Sequence, residues 1–320
     1  MIRGLIGFAI GCAALAWIVA GVGVGAIGHA LARGGWGLPA MAMVHLGQLF
    51  LSAQAWRTGL GPPCLSRVQM FGIRWVREGV NALLPVAQIG GQVAGARLLV
   101  RAGLTQARAV AGTILDLTLE AASQLLFTML GVGLLLNMRT DRHWLPWIGS
   151  GLFLLALGVA GFVVAQRAGL MRLAERGAAM LARRWPAAGR WSLTGLHEAL
   201  MGLQRRRRAL VLATALQTVG WSLGAVEVWV ALRWIGTEAS LRDAFVIESL
   251  GMAARSAGFA VPGAVGVQEG GFVLVAGLFG IPATDALALS MLKRIREVVI
   301  GLPALVVYAR SRVGEPVQSP

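Results

Sequence analysis

Charge is scarce in this chain. Only 13% of its 320 residues are Asp, Glu, Lys or Arg, where a soluble domain carries roughly 25%. Lysine occurs once, at Lys293, against 28 arginines and 14 acids. Cys12 and Cys64 form no disulfide framework, and His29, His45, His143 and His197 show no metal-ligand spacing, so no metal and no cofactor are expected. The short motifs H-E-x-x-H, G-x-S-x-G and the P-loop are also missing, so no catalytic residue is assigned and an enzyme is not expected. What is plentiful is apolar surface: 57% of residues are hydrophobic and the mean hydropathy is +0.70, which marks a polytopic membrane protein. The net charge of +15 invites a nucleic-acid partner. Its placement excludes one, because the arginines lie in loops between apolar spans and inside the spans themselves. Their excess over lysine reads first as a GC-rich genome and second as guanidinium forks for phosphate.

Two stretches organise the rest. From Trp75 to Gly103 and from Arg255 to Gly280 the chain is apolar enough for a bilayer, yet interrupted by Pro85, Gly90, Gly91 and Gly95, and by Pro262, Gly263, Gly266, Gly270 and Gly271. Proline removes a donor and glycine weakens a helix. Such backbone survives at membrane depth only when buried in protein or facing a wet cavity. Both stretches therefore read as re-entrant hairpins on a shared polar cavity, the sequence pointer to a transporter's binding site.

Around them lie apolar spans at 4–28, about 38–56, about 109–136, 144–165, about 209–235 and 283–309. The first is too long for a signal-peptide core. Its G-x-G-x-x-G at Gly23 to Gly28 lies in mid-membrane and reads as close helix packing. Residues 166–208 carry ten arginines against Glu175 and Glu198, so this segment is expected to be cytoplasmic. Leu193, Leu196, Leu200 and Leu203, with Trp185, Arg190 and Trp191, suggest an amphipathic helix pair on the membrane surface. Arg205, Arg206, Arg207 and Arg208 would meet anionic lipid or simply anchor the next helix. The expected fold is an all-α integral membrane protein with about six transmembrane helices plus two re-entrant helical hairpins. It forms a single polytopic membrane domain over 1–320, with both termini cytoplasmic.

The order of elements suggests an inverted repeat with halves at about 38–137 and 209–310. Aligning Pro85 on Pro262 sets Gly103 on Gly280, Glu120 on Glu297, Glu78 on Arg255, Gln92 on Glu269 and Asp116 on Lys293. Asp116, Glu120, Lys293, Arg294, Arg296 and Glu297 all fall well inside spans, where each unpaired charge costs about 2.5–3.5 kcal/mol. Asp116 and Glu120 share a helix face, as do Lys293 and Glu297, and two facing helices that neutralise each other are expected, with Asp116 set against Lys293. Glu227 and Glu248 are weaker candidates, since each could lie near an interface. Backbone amides at the hairpin breaks, beside Arg97, Arg101 or Arg255, could receive an anionic headgroup.

NALLPVAQIGG, the RLL from Arg97, the DLTLE run from Asp116 to Glu120, PGAVGVQEGG and KRIRE from Lys293 to Glu297 resemble the transmembrane flippase-like region of the lysylphosphatidylglycerol synthase family. Together with WVRE at Trp75 to Glu78, they are most similar to its stand-alone members associated with hopanoid biosynthesis. The resemblance implies an inner-membrane protein that moves lipid between leaflets. By motif it singles out Asn81, Arg97, Asp116, Glu120, Glu269, Arg296 and Glu297. Where a glutamate is expected after the paired glycines, this chain has Gln92, so that carboxylate's role would be lost or taken by Glu269. With the sequence ending at Pro320, lysyl transfer from tRNA is not expected.

The lipid path is assigned to Asn81, Gln88, Gly90, Gly91, Gln92, Arg97, Arg101, Asp116, Glu120, Arg255, Gln268, Glu269, Lys293, Arg294, Arg296 and Glu297. The leading reading is an inner-membrane lipid translocase whose cargo is a hopanoid or a polar-headed phospholipid. A membrane-embedded enzyme acting on lipid headgroups is one alternative, and a non-catalytic scaffold for lipid-biosynthesis enzymes is another. A second copy of the chain is a further partner left open.

Overall fold

The computed structural model describes residues 25, 28, 29, 32, 35–62, 65–83, 89–138, 145–184, 193–258 and 264–313. Among these there are eleven α-helices and no strand. After a 3-10 turn at Gly35–Gly37 come α1 (Leu38–Leu60), α2 (Arg67–Leu83), α3 (Ile89–Arg101), α4 (Gln106–Met138), α5 (Leu145–Arg167) and α6 (Leu170–Arg184). They are followed by α7 (Leu196–Gln204), α8 (Arg207–Ile235), α9 (Leu241–Ala257), α10 (Val267–Gly277) and α11 (Ala283–Val313). A long helix, two shorter helices and another long helix occur twice in this order: α1 to α4 with 23, 17, 13 and 33 residues, and α8 to α11 with 29, 17, 11 and 31.

By length and composition, three described helices can cross a membrane: Gln106–Met138, Gly149–Arg167 within α5, and Arg207–Ile235. The spans expected at 38–56 and 283–309 are helical but do not reach that apolarity, and α11 carries Lys293, Arg294, Arg296 and Glu297 in its interior. The span expected at 4–28 lies almost wholly outside the described residues.

The expected hairpins are helix pairs, and the glycines do not break them. Gly90, Gly91 and Gly95 lie inside α3, and Gly270 and Gly271 inside α10. The junctions at 84–88 and 259–263, which hold Pro85 and Pro262, lie outside the described residues, and so do Gln88 and Gly263. Gly91 and Gly271 serve close approach instead, as small residues do between membrane helices. A methyl group on Gly271 would stand 2.7 Å from Ala254 Cβ, and one on Gly251 would stand 2.8 Å from the Phe272 ring. At Gly91 it would run into Asn81 and the Arg77 carbonyl.

The chain forms two compact units, one of Met1–Gln48, Arg74–Ala94 and Ser222–Pro320, the other of Leu49–Ile73 and Gly95–Trp221. In the first, Met41, Val228, Leu232, Ile247, Phe272 and Leu289 form a buried core drawn from α1, α8, α9, α10 and α11. Its α9 starts on a capping box: Ser240 Oγ accepts the Asp243 N–H at 3.1 Å, and the Asp243 carboxylate accepts the Ser240 N–H at 2.8 Å. Here α2 packs on α11, and Trp75 Nε1 donates to the Ile300 carbonyl at 2.8 Å, a turn before the in-helix Pro303. A methyl at Gly79 would lie 2.9 Å from both Ala304 Cβ and the Gly301 carbonyl. Gly79→Ala should therefore destabilise the protein by about 1–3 kcal/mol. A thermal melt in detergent would show it, and an unchanged midpoint would mean that this contact is looser than described.

In the second unit α4 is the axis. Trp56 Nε1 donates to the Gly112 carbonyl at 3.1 Å, and Arg108 Nη2 caps the end of α1 by donating to the carbonyls of Leu60, Gly61 and Pro62. Gln166 links α5 to α4 and α7, donating to Thr118 Oγ1 at 2.9 Å and accepting from Gln204 at 2.6 Å. Glu175 on α6 accepts the His197 N–H at 2.7 Å, satisfying an amide of the first turn of α7. The leucines read as a membrane-surface face are turned inward: Leu196, Leu200 and Leu203 of α7 are buried with Ala111, Leu115 and Leu119 of α4. On α6, Leu170, Leu173 and Met180 are exposed beside Arg172 and Arg176. Trp185, Arg190 and Trp191 lie outside the described residues.

Candidate functional site

The site grows from one face of α11. Spacings of three and four put Ser290, Lys293, Arg294 and Glu297 on neighbouring rows, and Arg296 projects from the adjoining row. Three acids on three other helices of the same unit answer these cations. Lys293 Nζ donates to Glu248 of α9 at 2.6 Å, Arg294 Nε to Glu269 of α10 at 2.7 Å, and Arg296 Nη1 to Glu227 of α8 at 2.8 Å. The fourth acid, Glu297, accepts from Arg255 Nη1 of α9 at 2.6 Å and lies 3.6 Å from Arg296 Nη2.

Neutral groups join three of these pairs into one chain, with Lys293 and Glu248 as a separate pair beside it. Glu269 Oε1 also accepts from Ser290 Oγ at 3.3 Å, Ser290 Oγ accepts from Gln268 Nε2 at 3.1 Å, and Gln268 Oε1 accepts from Arg255 Nη1 at 2.7 Å. At its far end Arg296 Nη1 meets His45 Nδ1 of α1. Four acids thus balance four bases. Each charge left single would cost about 2.5–3.5 kcal/mol at the bilayer centre, and pairing removes most of that.

Access differs along the chain. The side chains of Lys293 and Glu248 are each 3% exposed, and Lys293 also sits over the Phe272 ring at 5.3 Å. Gly224 makes room for Glu248, because a methyl there would lie 2.7 Å from Oε1. Arg294 and Arg255, by contrast, are 22% and 16% exposed. A small cleft lined by His45, Glu78, Gly79, Ala82, Glu297, Ile300 and Gly301 opens beside Glu297.

Of the residues singled out from sequence, Arg255, Gln268, Glu269, Lys293, Arg294, Arg296 and Glu297 come together. The carboxylate that Lys293 Nζ reaches is that of Glu248, where the sequence reading assigned Asp116. Asp116 is 2% exposed in the other unit, and Glu120 follows it on α4. Arg97 and Arg101 are exposed on α3, as are Arg205, Arg207 and Arg208 where α7 meets α8, with Arg206 half-buried. Asn81 and the glycines do local work: Asn81 Oδ1 accepts the Gly91 N–H at 2.9 Å, capping α3, with Gly90 and Gln92 on either side. The Gly266 N–H donates to Glu269 Oε2 at 2.7 Å. Two hairpin amides expected to await an anion are therefore already satisfied. Gln92 Oε1 is buried with no hydrogen-bond partner among the described residues.

Glu227, Glu248 and His45 were undervalued. Glu227 and Glu248 are buried at 0% and 2% exposure. Glu227 is the lone charge between Arg208 and Arg233, some two turns inside its helix, and that isolation was the available signal. His45 offered none, because its partners are remote in sequence.

The described residues contain no cluster of acids, cysteines and histidines able to hold a metal. No curated protein and no solved structure matches the chain. A family model does match, described as the lysylphosphatidylglycerol synthase TM region, over residues 4–304. The chain belongs to that family of membrane regions.

Proposed function

We propose that the protein is an inner-membrane lipid translocase that carries a polar headgroup along the α8 to α11 charge chain, and not an enzyme. Membership of a family of lipid-linked membrane regions supports a lipid cargo. The observation that carries the reading is the uneven burial of the chain. Lys293 and Glu248 are sealed, whereas the side chains of Arg255 and Arg294 keep part of their surface open while paired to Glu297 and Glu269. A headgroup phosphate can replace a carboxylate on such an arginine, which binds both as a planar fork. Exchange of one partner for another lets a charged headgroup move without facing hydrocarbon alone.

The cargo is a phosphate-bearing or otherwise polar-headed lipid, or a hopanoid with such a head. The twice-used order of long, short, short and long helices supports an inverted repeat, with α2–α3 and α9–α10 as re-entrant pairs among six crossing helices and both termini cytoplasmic. Cells with and without the gene should contain the same lipid species but distribute one of them differently between leaflets. Loss of a lipid species from the inventory would point to an enzyme instead.

A further inference from the structure

At the His45 end of the chain two polar atoms have nothing to bond. Glu227 uses Oε2 for Arg296, while its Oε1 and Arg296 Nε are buried without a hydrogen-bond partner among the described residues. Buried polar groups are nearly always satisfied, so this corner is arranged for a second hydrogen-bond pattern. His45 lies against both residues: its Nδ1 meets Arg296 Nη1 and stands 3.6 Å from Glu227 Oε2. The groups that face it are Glu227 from α8, Arg296 and Glu297 from α11, and Glu78 from α2, with Lys293 beyond Glu227. Within its own unit α1 adds no other titratable side chain between Leu38 and Gln48.

We propose that His45 is a proton-binding site that couples lipid movement to a proton gradient. Guanidinium has donors and no acceptor, so the Nδ1 that meets Arg296 carries no proton and the ring is neutral. A proton entering by the cleft, where the Glu78 side chain is 39% exposed, adds to the Nδ1 lone pair. That N–H bond is the one covalent change. Nδ1 can then no longer accept from Arg296, and imidazolium and guanidinium repel. The new N–H turns to Glu227, whose free Oε1 gives it an acceptor while Oε2 still holds Arg296. The balanced chain has gained one positive charge, and Arg296 has lost one of its acceptors. A phosphate drawn to the charge chain restores both the balance and the bond, so proton and anionic headgroup bind together. Imidazole suits the task because it is the side chain that ordinarily changes charge between pH 5 and 8.

This inference rests on the lipid-translocase reading, and two measurements separate their failures. The first is nitrogen NMR of the full chain in nanodiscs with labelled histidine, the His45 signals being assigned by their loss in His45→Gln. Nδ1 should pass from unprotonated to protonated as the pH is lowered, and a ring signal that stays constant throughout would overturn the proposal. The second uses vesicles of phosphatidylcholine and phosphatidylglycerol containing acyl-labelled phosphatidylglycerol, with dithionite quenching from outside. A tenfold proton gradient should change wild-type translocation by up to about tenfold, the limit for one linked proton, and His45→Gln at equal protein should respond little. Equal responses of the two proteins, or none in the wild type, would overturn the coupling. Wild-type vesicles with no lipid movement at any pH would defeat the translocase reading, and the NMR titration would then decide the proton site by itself.

Discussion

Lys293→Met should be among the most damaging single substitutions in the chain, lowering stability by about 3–5 kcal/mol, because it strands Glu248 as an unpaired buried charge. Glu248 is 2% exposed, and its Oε2 is held by Lys293 at 2.6 Å. Glu248→Gln should do similar harm from the other side. The double variant Glu248→Gln/Lys293→Met removes both charges, and replacing a buried pair by neutral groups is often tolerated, so abundance should return. Because this pair is sealed from the cleft, lipid movement should return with it. The double-mutant cycle reads the coupling directly. Two single variants as abundant as the wild type would show that the pair does not hold the helices together.

Arg294 and Glu269 should give the opposite pattern. Glu269 is fully buried, holds Arg294 at 2.7 Å and also accepts from Gly266 and Ser290. Arg294→Gln alone leaves that carboxylate without its cation and should reduce abundance. In Glu269→Gln/Arg294→Gln the amide oxygen still accepts from Gly266 and no charge is stranded, so the protein should fold. Its lipid movement should fall at least tenfold, the equivalent of about 1.4 kcal/mol on the barrier, because the partly exposed arginine is gone. A folded double variant that moves lipid at the wild-type rate would take this pair out of the path.

Much of this arrangement is legible in the chain. The two broken stretches are recognisable from Pro85 and Pro262, and each contains two separate helices, α2 and α3 in the first and α9 and α10 in the second. The charges of α11 are recognisable as buried because no apolar span carries four without partners. What sequence could not supply is who faces whom. Spacing of three or four shows that Lys293 and Glu297 share a face of one helix, but it says nothing of the helix opposite, so Lys293 was matched to Asp116 by repeat symmetry while the structure supplies Glu248. The glycines misled for a related reason. Propensity treats Gly91 and Gly271 as breaks, and tertiary packing uses them as places where helices touch. Leu196, Leu200 and Leu203 show the same gap, since an apolar face fits a membrane surface or a neighbouring helix equally well, and here it meets α4.

The most direct test of the account is movement of labelled phosphatidylglycerol across vesicles holding purified protein. Wild type and Glu248→Gln/Lys293→Met should expose inner-leaflet label to dithionite added outside, while Glu269→Gln/Arg294→Gln, equally folded, should leave it protected as protein-free vesicles do. Label equally protected in all three proteins, or equally exposed in all three, would contradict a lipid path through Arg294 and Glu269.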